Sequence, residues 1–441
     1  MVKKLLTHGI QKFIQVESFS GLLLFGATIL AIVWANSPWG YLYESLWGYE
    51  LGVQVTKFEL IKPLILWVND GLMAIFFFLI GLEIKRELMV GELNSAKKAV
   101  FPVLAAIGGI ALPGLIFVFL NGNPETLKGW AIPMATDIAF SLAIIKLLGD
   151  RVPLNAKIFL TALAIVDDLG AVMIIAIFYS TGIKWTLILI AMGLLAVLYV
   201  LSYRDLFSKH LLLLVGIAVW TLFLKAGIHP TIAGVLLAFA VPIRQKMRFS
   251  DFAASLDDIT NRLRLTNDPD SSVLTDQQIG YIDELDEWTN EVQSPLQYLE
   301  HKLHDWVAYL IMPIFALANA GVTLSAGSSL NLNLVLTIAA ALVIGKSLGI
   351  FGMSKVALAT GVSTLPEGVS QRQIWGVSLL AGVGFTMAIF IANLAFRDNP
   401  TMLDSAKIGI LIGSLLAGFL GYLILRASAH RGNPDESSVT S

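Results

Sequence analysis

Apolar runs of about twenty residues recur along this chain, and each is long enough to cross the hydrocarbon of a bilayer as a helix. About twelve such windows can be marked, at 16–35, 62–83, 98–120, 129–148, 156–180, 184–202, 210–226, 228–243, 303–322, 333–357, 371–396 and 404–426. Together they take up more than half of the 441 residues. Composition agrees: 56% of residues are hydrophobic and 14% charged, against about 25% charged in a typical soluble domain. The mean hydropathy is +0.75. The fold class expected is an all-α membrane protein. There is no cysteine, which excludes disulfides, thiol catalysis and zinc–thiolate sites. Residues 1–12 carry Lys3, Lys4 and Lys12 ahead of a run without a small-residue cleavage site, so they read as an uncleaved amphipathic lead-in.

Orientation follows from where Lys and Arg fall. With the N-terminus inside, 22 of the 30 basic residues lie on inner segments, Lys85, Arg86, Lys97, Lys98, Lys146, Arg151 and Lys157 among them. Both termini are therefore expected in the cytoplasm, as an even number of spans requires. Four segments are expected: a membrane part over 1–243, an acidic cytoplasmic insertion over 244–302, a second membrane part over 303–426 that forms one unit with the first, and a cytoplasmic tail over 427–441. Within 249–300 twelve acidic residues face only Arg262 and Arg264. Asn267 to Ser272 has linker chemistry, and one short helix is expected around Asp276 to Val292. The outer segment 36–57, with Trp39, Tyr41, Tyr43 and Trp47, reads as an interfacial aromatic belt or as a contact with a second copy.

A weak internal echo links the fourth and eleventh spans. Trp130 to Asp137 and Trp375 to Thr386 each open on Trp, run apolar, then meet a helix-weakening patch: Pro133 in one, Gly382 and Gly384 in the other. The two spans run in opposite directions. Interrupted helices paired in this way mark an inverted-repeat secondary transporter, with the two breaks crossing at the midplane.

Four ionisable groups fall near mid-span: Asp137, Asp167, Asp168 and Lys346. A charge at mid-bilayer costs about 2.5–3.5 kcal/mol even on lenient scales, so adjacent aspartates there need a partner or a function. Neighbours on a helix point about 100° apart. One of the pair can meet an ammonium while the other lines a cavity, and Lys346 is the only basic residue at that depth. Half-helix ends carry opposite partial charges, so a crossing of broken helices wants one anion and one cation nearby; Asp137 and Lys346 supply them. Three carboxylates against one lysine leave an excess of negative charge that suits a cation or protons. A hard cation would take oxygen from Asp167 and Asp168, from Thr136 and from freed backbone carbonyls. No cofactor and no nucleic acid is implied.

Long ordered motifs carry a resemblance. They are Asn69-Asp70-Gly71-Leu72-Met73-Ala74, Gly81 to Leu88, Ala135-Thr136-Asp137-Ile138-Ala139-Phe140, Ala164 to Gly170, His229 to Gly234, Leu299-Glu300-His301, Phe315 to Gly321, Gly345-Lys346 and Gly384-Phe385-Thr386-Met387. Over nearly all its length the chain resembles the NhaA family of bacterial sodium/proton antiporters. That family is itself a known example of the inverted-repeat, broken-helix architecture, so the resemblance implies that fold. It implies exchange of cytoplasmic Na+ or Li+ for external protons in the inner membrane, electrogenic and pH-regulated. It also implies Asp168 as the principal cation carboxylate, Asp167 as the partner of Lys346, and Asp137 with Lys346 as compensators of the helix dipoles. A cytoplasmic pH-responsive cluster maps onto Glu83, Arg86, Glu87 and Glu300. His229 joins these candidates, although a surface histidine at the outer end of span eight is its plainer reading. The acidic insertion is longer than the connection associated with the family and lies just upstream of Glu300.

Two other functions fit the bare pattern. An intramembrane aspartyl protease also needs two buried aspartates, but facing each other across one water, usually from two helices; adjacent residues on one helix point apart. A sodium-coupled carrier of organic solutes would need a wider cavity and no lysine at 346. The expectation is a transporter and not an enzyme, with Na+, Li+, protons, the lipid bilayer and a second copy of the chain as its partners.

Overall fold

The computed structural model describes residues 2–55, 58–180, 182–204, 206–265, 273–323 and 330–428. It is helical almost throughout. In chain order the first elements are α1 (Val2–Ala35), α2 (Gly40–Gly48), a hairpin of β1 (Glu50–Val55) and β2 (Phe58–Pro63), α3 (Leu64–Met89) and α4 (Ala96–Leu120). A broken span follows as α5 (Pro124–Met134) and α6 (Ile138–Leu148), then α7 (Leu154–Phe178), α8 (Trp185–Tyr203), α9 (Lys209–Ala226) and α10 (Thr231–Phe239). The insertion forms α11 (Phe249–Leu265) and α12 (Asp276–Val292). The chain continues through α13 (Pro295–Trp306), a π-turn at Val307–Ile311 and α14 (Met312–Asn319) to α15 (Leu332–Ala359). A second broken span, α16 (Gln371–Leu380) and α17 (Phe385–Ala395), precedes α18 (Pro400–Ser428).

Among the described residues seven helices are long and apolar enough to cross a membrane, and up to ten spans result if each bent pair counts as one. The expected total of twelve is not reached on those criteria. Window 228–243 yields only the nine-residue α10, and window 303–322 is divided by a π-turn. α10 can be short because its last turn is held from outside, where Lys85 Nζ donates to the carbonyls of Phe239 and Val241. Glycine lets α10 lie close against α3: a Cβ on Gly234 would run into the Ala74 carbonyl. Gly108 of α4 and Gly349 of α15 make a similar approach, each facing the other's carbonyl.

The all-α fold class holds with one small addition, and two other readings are corrected. The hairpin β1–β2, paired antiparallel from Glu50↔Pro63 to Val55↔Phe58, is a small sheet in an otherwise helical protein. Of the expected aromatic belt, Trp39 and Tyr41 are exposed, but Tyr43 and Trp47 are buried. Tyr43 donates from its hydroxyl to the carbonyls of Leu317 and Ala318, so this segment packs onto α14. The insertion holds two helices rather than one. In α11 the stripe Phe252, Leu256, Ile259 and Leu263 recurs at helical spacing on the less exposed face, and the acidic count obscured it. The insertion closes on itself where the backbone amides of Lys246 and Met247 donate to Glu291 O. The linker at Asn267 to Ser272 and the tail from 429 lie outside the described residues.

Candidate functional site

Both broken spans fail where their chemistry says they must. Pro133 has no N–H to donate, and Ala135 and Asp137 take extended backbone angles. In the second span the helix stops at Leu380 and restarts after Gly384. The bends are 45° and 44°. The freed polar groups pair across the crossing: Asp137 N donates to Val383 O at 2.7 Å and Thr136 Oγ1 donates to Ala381 O at 3.0 Å.

Asp137 serves both half-helices that restart here. It is the N-cap of α6, accepting from Phe140 N at 3.1 Å, and it accepts from Thr386 N at 3.0 Å and from the Thr386 hydroxyl in the first turn of α17. Two positive helix ends thus meet one carboxylate. At the opposite pole, Lys346 Nζ donates to the carbonyl of Met134, the last residue of α5.

Lys346 and Asp167 make an ion pair of 2.9 Å with neither side chain exposed. Thr136 Oγ1 also donates to Asp167 Oδ2, at 2.7 Å. Asp168, 2% exposed, points elsewhere. Its Oδ1 has no protein hydrogen bond, and among the described residues no ion pair reaches it. It lines a cavity of about 50 Å³ with Thr136, Asp137, Thr386, Ser20 and Glu83. That volume is room for a small cation with water, since about 10–15 Å³ on the same measure holds one water. Among the described residues no cluster of three or more His, Asp or Glu has the form of a resident metal site.

Thr136, Asp137, Asp167, Asp168 and Lys346 are therefore brought together. Thr386 was not singled out from the sequence, although its place just after Gly384 made it a first-turn residue of the restarted helix. Ser20 on α1 had no signal.

Glu83, Arg86, Glu87 and Glu300 form a second group at the inner end of α3, the end nearer the insertion. Arg86 bridges Glu300 at 2.9 Å and Glu87 at 3.0 Å. His304 lies 3.9 Å from Glu83, a neighbour the sequence reading left out. Burial pushes the Glu300 carboxyl above its ordinary range, against the opposing pull of Arg86. Glu83 belongs to both places, since it also lines the Asp168 cavity.

His229 is corrected: it is no surface residue. Its side chain is 10% exposed, with Nε2 3.6 Å from Asp70 and Nδ1 2.7 Å from the Thr231 hydroxyl. Lys62 of β2 closes on the same Asp70 at 2.6 Å. These groups sit at the outer end of α3, remote from Arg86.

Two interrupted helices, crossed and hydrogen-bonded at their breaks around buried carboxylates, define a secondary transporter of the broken-helix class. Residues 11–425 match the family Na+/H+ antiporter 1, and the chain belongs to that family of sodium/proton exchangers, which are transporters and not enzymes. It is 45% identical over 430 residues to the Na(+)/H(+) antiporter NhaA of Oleidesulfovibrio alaskensis, covering 97% of this chain and 95% of that protein. The NhaA of Serratia proteamaculans is 43% identical over 430 residues, covering 97% and 100%. That of Parabacteroides distasonis is 43% identical over 431 residues, covering 95% of each.

Proposed function

We propose that the exchange runs through Asp168 as the cation carboxylate, with Asp167 and Lys346 as the proton-carrying pair beside it. The observation that carries this reading is the division of the two aspartates: both leave Oδ1 without a hydrogen bond, but Asp167 is engaged through Oδ2 by Lys346 and Thr136, while Asp168 has no ion pair among the described residues and lines the cavity. A hard cation takes oxygen ligands, and the Thr136 and Thr386 hydroxyls lie in the same lining. Cation and protons then compete for one group of carboxylates, and exposure of that group to each side in turn makes the exchange obligatory. If more than one proton returns per Na+ or Li+, transport is electrogenic and extrudes cation at the expense of the proton gradient.

In this reading Asp137 and Lys346 balance the helix ends at the crossing. Glu83, Arg86, Glu87 and Glu300 adjust the inner mouth with pH; their support is the Arg86 network and the cavity that Glu83 shares with Asp168. His229 would act separately, at the outer end. The protein is placed in the bacterial inner membrane with both termini and the 244–302 insertion in the cytoplasm, on the distribution of Lys and Arg. The membrane parts 1–243 and 303–426 act as one unit with inverted repeats, and a homodimer is its assembly.

Asp168→Asn tests the assignment in inverted vesicles that carry a pH-sensitive dye. The variant is expected to insert and to lose Na+- and Li+-driven dequenching altogether. Dequenching at the wild-type level would remove Asp168 from the mechanism.

A further inference from the structure

The route from the Asp168 cavity to the outer end of the molecule is closed by two layers of different chemistry. The cation cavity is bounded there by Phe76, Met312, Thr386 and Met387. A second cavity, of about 510 Å³, opens at the outer end and is lined by Asn69, Asp70, His229, Phe390, Asn393 and Arg397. Three elements run between them: α3, α14 and α17. Asn69 precedes Phe76 by seven residues, Asn319 follows Met312 by seven, and Asn393 follows Thr386 by seven. The hydrogen bonds that join Asn69 to Asn319 and Asn393 to Asn319 put the three asparagines at one depth.

The layer nearer the cation cavity is aromatic, and its Phe390 also reaches the lining of the outer cavity. Phe77, Phe315 and Phe390 have no exposed surface, and the Phe390 ring centroid is 5.5 Å from that of Phe77 and 6.2 Å from that of Phe315. The outer layer is amide. Asn69 Nδ2 donates to Asn319 Oδ1 at 3.1 Å, and Asn319 Nδ2 donates back to Asn69 Oδ1 at 2.8 Å. Asn393 Nδ2 donates to Asn319 Oδ1 at 3.0 Å. The remaining bonds go to local carbonyls, from Asn319 to Phe315 O and from Asn393 to Ile389 O, both 2.9 Å.

A buried amide is costly unless it is hydrogen-bonded, and this layer meets that demand by pairing one element with the next. Apolar side chains would seal the same gap more tightly, but would resist wetting when the elements separate. Amides exchange protein partners for water at little net cost, and their oxygens are acceptable ligands for a hard cation stripped of part of its water.

We propose that Asn69, Asn319 and Asn393 are the outer gate of the exchange path, a layer that closes by pairing amide with amide and opens by hydration, passing the cation between the carboxylate cavity and the outer pocket. This rests on the alternating-access reading of the site.

The chain has no cysteine, so Met387→Cys supplies a single reporter on the cavity side of both layers. The probe is a membrane-impermeant methanethiosulfonate, applied to right-side-out and inverted vesicles. With Asn69→Leu, Asn319→Leu and Asn393→Leu added, so that no amide is left buried without a partner, labelling from outside is expected to fall roughly tenfold or more, because apolar burial favours the closed layer. Inner labelling is expected to stay at the Met387→Cys level, and exchange to fall with outer labelling. Unchanged outer labelling, or an equal fall from both sides, would overturn the proposal. Asn393→Ser and Asn393→Leu, each alone, cover the case in which the triple variant does not fold. Serine, which still binds water, is expected to keep outer labelling and leucine to lower it; equal effects would count against the gate. The reading beneath fails differently, since exchange that survives Asp168→Asn would remove it whatever Met387→Cys reports.

Discussion

The crossing and the inner mouth use the same residue types, carboxylates set against a base, and treat them in opposite ways. At the crossing Lys346 and Asp167 have no exposed side-chain surface; at the mouth the Arg86 side chain is 33% exposed and that of Glu300 17%. Water decides the difference. A fully desolvated pair is all or nothing, because removing one partner strands the other charge in a medium that cannot solvate it. A half-exposed pair is screened and can be remade at small cost. On the proposed assignment, the transport chemistry would sit where rearrangement is expensive and the adjustable charges where it is cheaper.

Lys346→Ala would break this contrast most severely. It is expected to cost about 3–5 kcal/mol by leaving Asp167 buried and unpaired, read as a large fall in the melting temperature of the detergent-solubilised protein. Replacing both members, Asp167→Leu with Lys346→Met, is expected to recover much of that stability while exchange stays impaired. A single variant as stable as the wild type would refute the all-or-nothing picture.

Arg86→Ala is expected to cost less than Lys346→Ala, since the Arg86 side chain is 33% exposed and those of Glu87 and Glu300 keep 12% and 17% of their surface. Its larger effect is expected on the pH dependence of exchange in vesicles; a loss of stability as great as that of Lys346→Ala would erase the distinction between the two regions.

Glu300→Gln sharpens the comparison with the smallest change. Burial makes the folded protein hold the Glu300 proton more tightly than the unfolded chain does. Its contribution to stability is therefore full at low pH and is lost as pH rises through the raised value. Glutamine cannot titrate, so the melting temperature of the variant is expected to fall less than that of the wild type from the ordinary carboxylate range upward. Identical curves would mean that Glu300 does not titrate in that window.

The crossing was legible in the sequence because membrane chemistry punishes charge. Three aspartates and one lysine at mid-span stand out from apolar surroundings, and Pro133 and Gly384 announce the breaks. Thr386 was hidden because threonine is cheap in an apolar helix and shows its worth only through what it faces. The burial of His229 depended on Asp70, which lies far away in sequence and carried no separate signal. Tyr43 and Trp47 looked like a belt because composition gives amphipathic rings without the face they turn inward. The π-turns at Trp67–Leu72, Val307–Ile311 and Ala341–Lys346 left no mark either, since one widened turn does not alter an apolar pattern.

The double cap at Asp137 has a mechanical consequence. α6 and α17 are fastened to one side chain by three donors, and the breaks share a backbone bond from Asp137 N to Val383 O. Neither half-helix can swing alone without pulling on the other, so the crossing behaves as a pivot with the stiffness of a single part. In the alternating-access reading, displacement between the two facing states would fall to α3 and α14, which lean against the pivot and meet α17 through the Phe77–Phe390 and Phe315–Phe390 ring contacts and the Asn393–Asn319 bond.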